Sequence, residues 1–330
     1  MWMTNLVVER SLTVATVPER AWSLLSSPAA FSMQPGTFAF DLRPATGGAG
    51  STGGAGLWLG IAIRQARVLT LLFGISEETP GQVISLRLVN VPPRRQLTYT
   101  LSVRPGQRTT KIAIGVSEEV SRSAKADLRA RWLKDLDVWL ANAQAVLEGR
   151  KPWPGDELPP SVRAECARRR EVADPVSAEA STVIAAPPAR VWQTVWDPAT
   201  NGQISLTSIA SGHVPGTPIR QPGEMQYEIQ RASSGLLVAT LMTLHDCEEE
   251  RRAVVQTVSP FATETVYLIE PEPAGTRLTL TASLPGRAFT AGHAAQDITE
   301  HVARYKSFIE EPEHAAGGPP GQLVPGTAGQ

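Results

Sequence analysis

Three adjacent residues in the second half of the chain, His245, Asp246 and Cys247, are of the types that nucleophilic catalysis needs. A cysteine becomes a nucleophile when a nearby base takes its proton, and histidine commonly serves as that base. Alternate residues of a β-strand point to the same face, so His245 and Cys247 can share one face while Asp246 points away. The same residues also suit a strand that ends in the charged turn Glu248–Arg252, with no chemistry. The sequence leaves both interpretations open.

Two more side chains in this half are candidates for acid–base chemistry. His293 lies near the start of the last predicted helix, and a histidine with its ordinary pKa of ~6.5 can transfer protons near neutral pH. Tyr227 lies in a predicted strand, where its hydroxyl could orient a carbonyl group. Met225 and Ile229 share its face and are candidate ligand contacts, which would leave Glu228 pointing to water. The strand and helix phases allow this arrangement without requiring it.

Motifs for metal or cofactor chemistry are missing from the sequence. It contains neither H-E-x-x-H nor G-x-S-x-G, and its two cysteines, Cys166 and Cys247, do not form C-x-x-C. The glycine-rich run Thr46–Gly56 lacks the Gly-Lys-Ser/Thr ending of a phosphate loop, and we interpret it as a hairpin tip. We therefore predict no metal, no cofactor and no disulfide.

A repeated segment indicates how the chain is organised. Glu9–Ala29 returns 170 residues later as Glu179–Ala199, with eight identical residues among 21 positions. The pattern of each copy predicts a half-buried strand followed by a short helix that begins at a proline, Pro18 or Pro188. Each short helix carries one tryptophan, Trp22 or Trp192. Core packing is the simpler role for both tryptophans, and lining a ligand pocket is the alternative.

The elements between the repeats follow one pattern. After the first copy, strand-like runs at about ten-residue spacing predict an antiparallel meander. Apolar residues at three- and four-residue steps then predict one long helix over Ser121–Glu148. Trp132 and Trp139 lie seven apart on that helix, so we expect them to share a face and to line or plug a cavity beneath it. The second half repeats this order and ends in a helix over Ala288–Glu310.

Length and composition agree with two globular units. A chain of 330 residues with 42% hydrophobic and 19% charged residues can bury two cores. We predict domains at 1–150 and 175–312, a linker with a short helix at 151–174, and a disordered Gly/Pro-rich tail at 313–330. The net charge of −1 argues against nucleic acid as a partner. The sequence has no basic leader and no long apolar run, so we expect a cytoplasmic protein without a transmembrane segment.

Some predicted strands are apolar on both faces. Leu57–Ile63 and Val68–Ile75 lack the alternation of a sheet that has one face in water. The outer sheet face should therefore be covered, either by tight packing between the two domains or by a second copy of the chain in a homodimer.

The order of strand, short helix, meander and long helix, present twice, resembles the START-like (SRPBCC) superfamily. The residues that carry the resemblance are Ala15–Pro28, Ala185–Pro198, Asn90–Thr100, Pro222–Ile229 and Ala274–Leu284. It implies an α+β fold of two tandem helix-grip domains, each a curved antiparallel sheet wrapped around a long C-terminal helix. The resemblance also implies a cavity between sheet and helix that holds an apolar ligand. The candidate ligand contacts are Trp22, Trp132, Trp139, Trp192, Met225, Tyr227 and Ile229.

The resemblance leaves three functions to weigh, because this fold supports many activities. The first is binding of an apolar or aromatic small molecule without covalent catalysis, which the lack of a catalytic motif favours. The second is a two-domain polyketide aromatase/cyclase that promotes aldol closure and dehydration through a few polar groups. The third is an interaction module like the Hsp90-activator branch, which would bind a partner by its surface.

Overall fold

The computed structural model of the chain describes residues 3–42, 56–90, 97–105, 109–155, 157–205 and 207–311. Apart from Gly56, the predicted hairpin tip Thr46–Gly56 lies outside these ranges, as does the predicted tail at 313–330.

The first sheet has seven antiparallel strands. They are β1 (Met3–Val14), β2 (Thr37–Asp41), β3 (Leu57–Arg64), β4 (Arg67–Thr79), β5 (Val83–Leu88), β6 (Leu97–Pro105) and β7 (Thr110–Ser121). Their order across the sheet is β1-β7-β6-β5-β4-β3-β2, so the first and last strands in sequence are neighbours. Helix α1 (Pro18–Leu25) and a 3-10 segment (Pro28–Met33) connect β1 to β2, and helix α2 (Lys125–Leu147) follows β7.

The second sheet repeats this topology. Its strands are β8 (Pro175–Ile184), β9 (Ser208–His213), β10 (Met225–Arg231), β11 (Leu237–Glu248), β12 (Arg252–Ser259), β13 (Thr263–Glu272) and β14 (Gly275–Pro285). They are ordered β8-β14-β13-β12-β11-β10-β9, and helix α6 (Ala291–Glu310) follows the last strand. Helices α4 (Pro188–Trp196) and α5 (Pro198–Ile204) connect β8 to β9. The prediction of two tandem helix-grip domains is confirmed by this repeated order.

The two copies of the repeated segment begin their helices in the same way. Pro18 and Pro188 stand at the first helical positions, where the missing N–H costs no hydrogen bond. Helix α5 is not among the elements that the sequence predicted. The Asp197 carboxylate caps α5 by accepting from the backbone N–H of Ala199 at 3.0 Å, and Pro198 supplies its first turn.

Each long helix packs its apolar side against its own sheet. In the first unit Leu136, Trp139, Leu140 and Ala143 of α2 join the core formed by the sheet and α1. In the second, α6 contributes the buried residues Val302, Tyr305 and Ile309. This packing supplies most of the stability of such helices, because isolated helices are marginal in water.

The chain divides into two compact units. One contains Met1–Arg168 with Val214–Thr217 and Arg231–Leu241, and the other contains Arg169–His213, Pro218–Gln230 and Met242–Gln330. Within the predicted linker lies helix α3 (Pro160–Ala167), whose Val162 and Cys166 are buried.

Trp58–Ala62 of β3 is buried on both faces. The cover of the outer sheet face stays a prediction, with interdomain packing and a homodimer as its alternatives.

Candidate functional site

A cavity of about 140 Å³ lies between the first sheet and α2. Its walls come from the 3-10 segment, from strands β2, β3, β4, β6 and β7, and from one face of α2. The lining residues are Ala30, Phe31, Gln34, Thr37, Ala62, Arg64, Leu69, Leu71, Tyr99, Leu101, Ile114, Trp132, Asp135, Leu136 and Trp139. Most of these side chains are apolar, so the cavity favours an apolar occupant.

One wall of the cavity belongs to an aromatic cluster. The Phe31 ring stacks on Phe73 with 4.2 Å between centroids and meets the Tyr99 ring edge-on at 5.5 Å. Tyr99 also packs edge-on against Phe73 at 5.8 Å and against Trp132 at 5.9 Å. These are favourable aromatic geometries, and together they fix the Tyr99 ring in place.

The two tryptophans of α2 are held by their indole N–H groups. Trp132 donates to Glu118 Oε2 at 3.0 Å, and the buried Trp139 donates to the backbone carbonyl of Ala30 at 2.7 Å. Because each polar edge is already hydrogen-bonded, the remaining ring surface is available for apolar contact. The structure therefore brings Trp132 and Trp139 to the same cavity, as their spacing indicates.

Polar groups collect at one end of the cavity. Gln34 Nε2 donates to the backbone carbonyl of Asp135 at 2.9 Å, and Arg64, which is exposed, donates to the Ile63 carbonyl at 3.0 Å. Burial raises the pKa of Tyr99 far above its usual range; Arg64 acts against this rise, and the Asp135 carboxylate adds to it. Tyr99 is therefore a neutral phenol at any physiological pH.

The other tryptophans predicted as ligand contacts lie in the cores. Trp192 is 1% exposed and stacks on Trp196 with 6.3 Å between ring centroids. Trp22 is half-buried and packs against the first core. Neither lines the cavity described above. Ligand contact by these two residues stays a prediction.

The two faces of strand β10 are reversed relative to our expectation, because Glu228 and not Tyr227 lies on the face directed toward the helices. Glu228 pairs across the strands with Ser211, whose hydroxyl donates to the Pro198 carbonyl of α5, so this face looks toward the helices. Tyr227, with Met225 and Ile229, points away from them. The Tyr227 ring lies over Gly212, where a Cβ atom would come within 2.8 Å of its hydroxyl oxygen, so this close packing requires glycine.

The helix-facing side of the second sheet holds polar groups that the sequence analysis missed. Burial raises the pKa of Glu228, and its Oε1 has no hydrogen-bond partner among the described residues. The pKa values of two tyrosines, the half-buried Tyr267 and the buried Tyr305, are also raised, chiefly by burial. The Glu228 carboxylate adds to both rises, and the pKa of Tyr267 reaches about 12. The second tyrosine, Tyr305, donates to Asn201 Oδ1 at 2.5 Å and meets the ring of His301 edge-on.

A second buried carboxylate, that of Glu224, is fully hydrogen-bonded. Its Oε1 lies 2.8 Å from His213 Nδ1 and 2.9 Å from Gln226 Nε2. Its Oε2 accepts from Trp196 Nε1 at 2.8 Å and from the backbone N–H of Arg220 at 2.5 Å. Burial acts to raise the pKa of Glu224, but these hydrogen bonds outweigh it and lower the pKa below its usual value. The carboxylate joins α4, β9, β10 and the turn before β10.

The histidine candidates are not brought together at one site. The half-buried His245 has its pKa lowered by burial and by Arg169, and its Nε2 lacks a partner among the described residues. Cys247 instead approaches the Arg220 carbonyl at 3.9 Å, and burial raises the pKa of its thiol. No hydrogen bond between His245 and Cys247 is found among the described residues. His293 is exposed in the first turn of α6.

Within the described ranges, no group of three or more His, Cys, Asp or Glu side chains is placed to hold a metal ion. Of the helices described, none is long and apolar enough to cross a membrane.

Comparisons with known proteins give structural matches alone. No family model and no curated protein matches the sequence. Among solved structures, the di-domain ARO/CYC BexL from the BE-7585A biosynthetic pathway matches at 15% identity and a TM-score of 0.33, over 95% of this chain and 99% of that one. The di-domain ARO/CYC StfQ from the steffimycin biosynthetic pathway matches at 13% identity and a TM-score of 0.34, over 93% of this chain and 99% of that one. A START superfamily protein from Mycobacterium smegmatis matches at 13% identity and a TM-score of 0.35, over 44% of this chain and 99% of that one.

At these identities and TM-scores, the matches do not indicate an activity for this chain. The assignment of the fold depends on the chain's own strand order and on the long helix that follows each sheet. The chain carries the helix-grip fold twice.

Proposed function

We propose that this protein binds a small apolar or aromatic molecule in the cavity between the first sheet and α2. The cavity itself, about 140 Å³ in volume and lined mainly by apolar side chains, is the observation that supports binding. An apolar cavity of roughly 150 Å³ is large enough to take up benzene. A compact aromatic ring is therefore the natural occupant.

The lining favours binding without covalent catalysis. No cysteine, serine, histidine or lysine is among the described residues that line the cavity. The two charged groups, Arg64 and Asp135, are exposed and half-buried respectively, and the hydroxyl of Thr37 already contacts two backbone carbonyls. Of the remaining polar groups, Gln34 already donates to the Asp135 carbonyl, whereas the Tyr99 hydroxyl is suited to hydrogen bonding with a ligand.

Filling the cavity tests the proposal. Ala62 lines it and is 2% exposed, so Ala62→Leu places a larger side chain in the space that a ligand would occupy. We expect saturable binding of toluene to the full chain by calorimetry, and a loss of at least about tenfold in affinity for Ala62→Leu, because overlap with bound ligand costs more than ~1.4 kcal/mol. The matched control is Ala15→Leu on the surface, which should bind like the unchanged chain.

Absence of saturable binding to the unchanged chain would contradict the proposal, and so would equal binding by both variants. Circular dichroism and thermal unfolding of Ala62→Leu separate loss of the site from loss of the fold.

A second candidate, acid–base catalysis of the aromatase/cyclase type, is favoured by one observation in the second domain. Glu228 is a largely buried carboxyl group with a raised pKa beside Tyr267 and Tyr305, and such groups serve as proton donors in enzymes. If this activity exists, Glu228→Gln should lower turnover of a poly-β-keto mimic by roughly 10²–10⁴-fold. His245→Ala and His293→Ala test the two histidines predicted from the sequence. Unchanged turnover in all three variants would rule out this role for them.

A further inference from the structure

We infer that Tyr99 selects the ligand: the cavity takes a compact aromatic molecule with a neutral oxygen, a phenol or an aryl ketone, which hydrogen-bonds to the Tyr99 hydroxyl. This inference rests on the binding function proposed above and names the chemical class of the ligand. It follows from the hydrogen bonding, packing and charge around a single side chain.

The Tyr99 hydroxyl makes no hydrogen bond within the described part of the chain, although Tyr99 is half-buried and lines the cavity. Each of the other polar side chains that line the cavity and can donate already makes at least one hydrogen bond. Gln34 donates to the Asp135 carbonyl, Thr37 contacts the Phe31 carbonyl, and Arg64 donates to the Ile63 carbonyl. A ligand oxygen that pairs with this half-buried hydroxyl adds a hydrogen bond with a net favourable contribution, so it gains affinity.

Packing sets the direction of this hydroxyl before any ligand arrives. Phe31, Phe73 and Trp132 hold the ring edge-on with centroid distances of 5.5, 5.8 and 5.9 Å. Trp132 is itself fixed by its hydrogen bond to Glu118. Little rotamer freedom is lost when such a side chain forms a new hydrogen bond, so the bond can discriminate between ligands.

The charges around the hydroxyl favour a neutral oxygen over an anionic one. Among the residues that the structure describes, Arg64 is the cation that influences Tyr99, whereas Glu118 and Asp135 are two carboxylates that act in the opposite sense. In a partly buried site these two carboxylates would repel a ligand carboxylate and would weaken its attraction to Arg64. The neutral phenol of Tyr99 can donate to a carbonyl oxygen, and it can donate to or accept from a phenol.

Three fluorinated aromatic probes test the inference: 4-fluorophenol, fluorobenzene and 4-fluorobenzoate, each followed by ¹⁹F NMR titration of the full chain. We expect 4-fluorophenol to bind about 3–10-fold more tightly than fluorobenzene, which corresponds to one net hydrogen bond. The benzoate should bind more weakly than the phenol. In Tyr99→Phe, the preference for phenol over fluorobenzene should fall to about one, while fluorobenzene affinity changes by less than about twofold.

The control is Ser117→Ala, which removes an exposed hydroxyl that donates to Asn5 Oδ1 in the same domain, outside the cavity lining, and should retain the full preference. Loss of phenol and fluorobenzene binding together in Tyr99→Phe, in a variant that unfolds like the unchanged chain, would overturn the role of the hydroxyl. A preference that survives Tyr99→Phe, or tighter binding of the benzoate, would overturn it as well. Failure of all three probes to bind the unchanged chain would instead contradict the proposed binding function, so the two failures are distinguishable.

Discussion

At the scale of single residues, the sequence indicated the direction of side chains on the long helix better than the direction of side chains on strand β10. Trp132 and Trp139 lie seven apart, which brings both to one helix face, and the structure has them on the same cavity. Strand β10 gave no such signal, because Met225, Gln226 and Tyr227 are all buried. With both faces buried, apolar alternation cannot tell which face meets the helix. Glu228 was therefore expected in water, although it faces the helices.

Glu224 provides a prediction about stability and pH. The Glu224→Gln variant loses the ionised acceptor of four hydrogen bonds in a side chain that is fully buried, so we expect it to be less stable by about 1–3 kcal/mol at pH 7. The pKa of this carboxyl is lower in the folded than in the unfolded chain. Its contribution is therefore present above the unfolded pKa of ~4.3 and is lost as pH falls through the folded value.

Guanidinium unfolding of both proteins at several pH values measures this effect. The difference in unfolding free energy between them should shrink as the pH falls below about 4. A difference that stays constant with pH, or that grows on acidification, would show that the ionised form is not the stabilising one.

At the scale of elements, the helical periodicity predicted the long helix α2, but the sequence did not predict helix α5, whose start depends on a capping residue. Helix α2 was expected over Ser121–Glu148 and spans Lys125–Leu147, since its apolar positions recur along its whole length. Helix α5 is seven residues long and lacks a clear apolar stripe. It depends on Asp197 at its N-cap and on the burial of Pro198, Thr200 and Ile204 against neighbouring elements. Such tertiary burial is invisible to a local pattern.

The packing of α2 on its sheet can be tested by truncating one buried side chain. Leu140 is 5% exposed in the first core, and its replacement by alanine should destabilise the protein by about 2–5 kcal/mol through lost burial and a new cavity. Val138, two residues earlier, is 38% exposed, so Val138→Ala should change stability by less than about 1 kcal/mol. Chemical denaturation compares the two variants directly. Equal effects would mean that α2 does not pack by the face described here.

At the scale of the whole molecule, a repeat with an offset of 170 residues predicted two copies of one topology, and the two sheets have matching strand orders. The boundaries at 1–150 and 175–312 remain predictions. So do a homodimer and tight interdomain packing as alternatives for the apolar outer face of the strands. Neither can be decided from hydrophobic pattern, because each buries the same residues.

Expressing the two segments separately tests the boundaries. We propose that 1–150 and 175–312 each fold alone, since each contains a complete seven-stranded sheet and its long helix. Each fragment should show a cooperative thermal transition and the circular dichroism of a mixed α and β protein. Sedimentation of the full chain then distinguishes a monomer from a homodimer. A fragment that is soluble but lacks a cooperative transition would contradict independent folding.

The central claim is that the space between the first sheet and α2 holds an aromatic molecule, and crystals of the full chain grown with bromobenzene test it most directly. The bromine atom scatters anomalously, so it marks the position of the ligand without reference to any assumed pose. We predict an anomalous peak bounded by Tyr99, Trp132 and Trp139, with those side chains in their present positions. A cavity closed by these side chains, with bromine found only elsewhere on the molecule, would contradict the account.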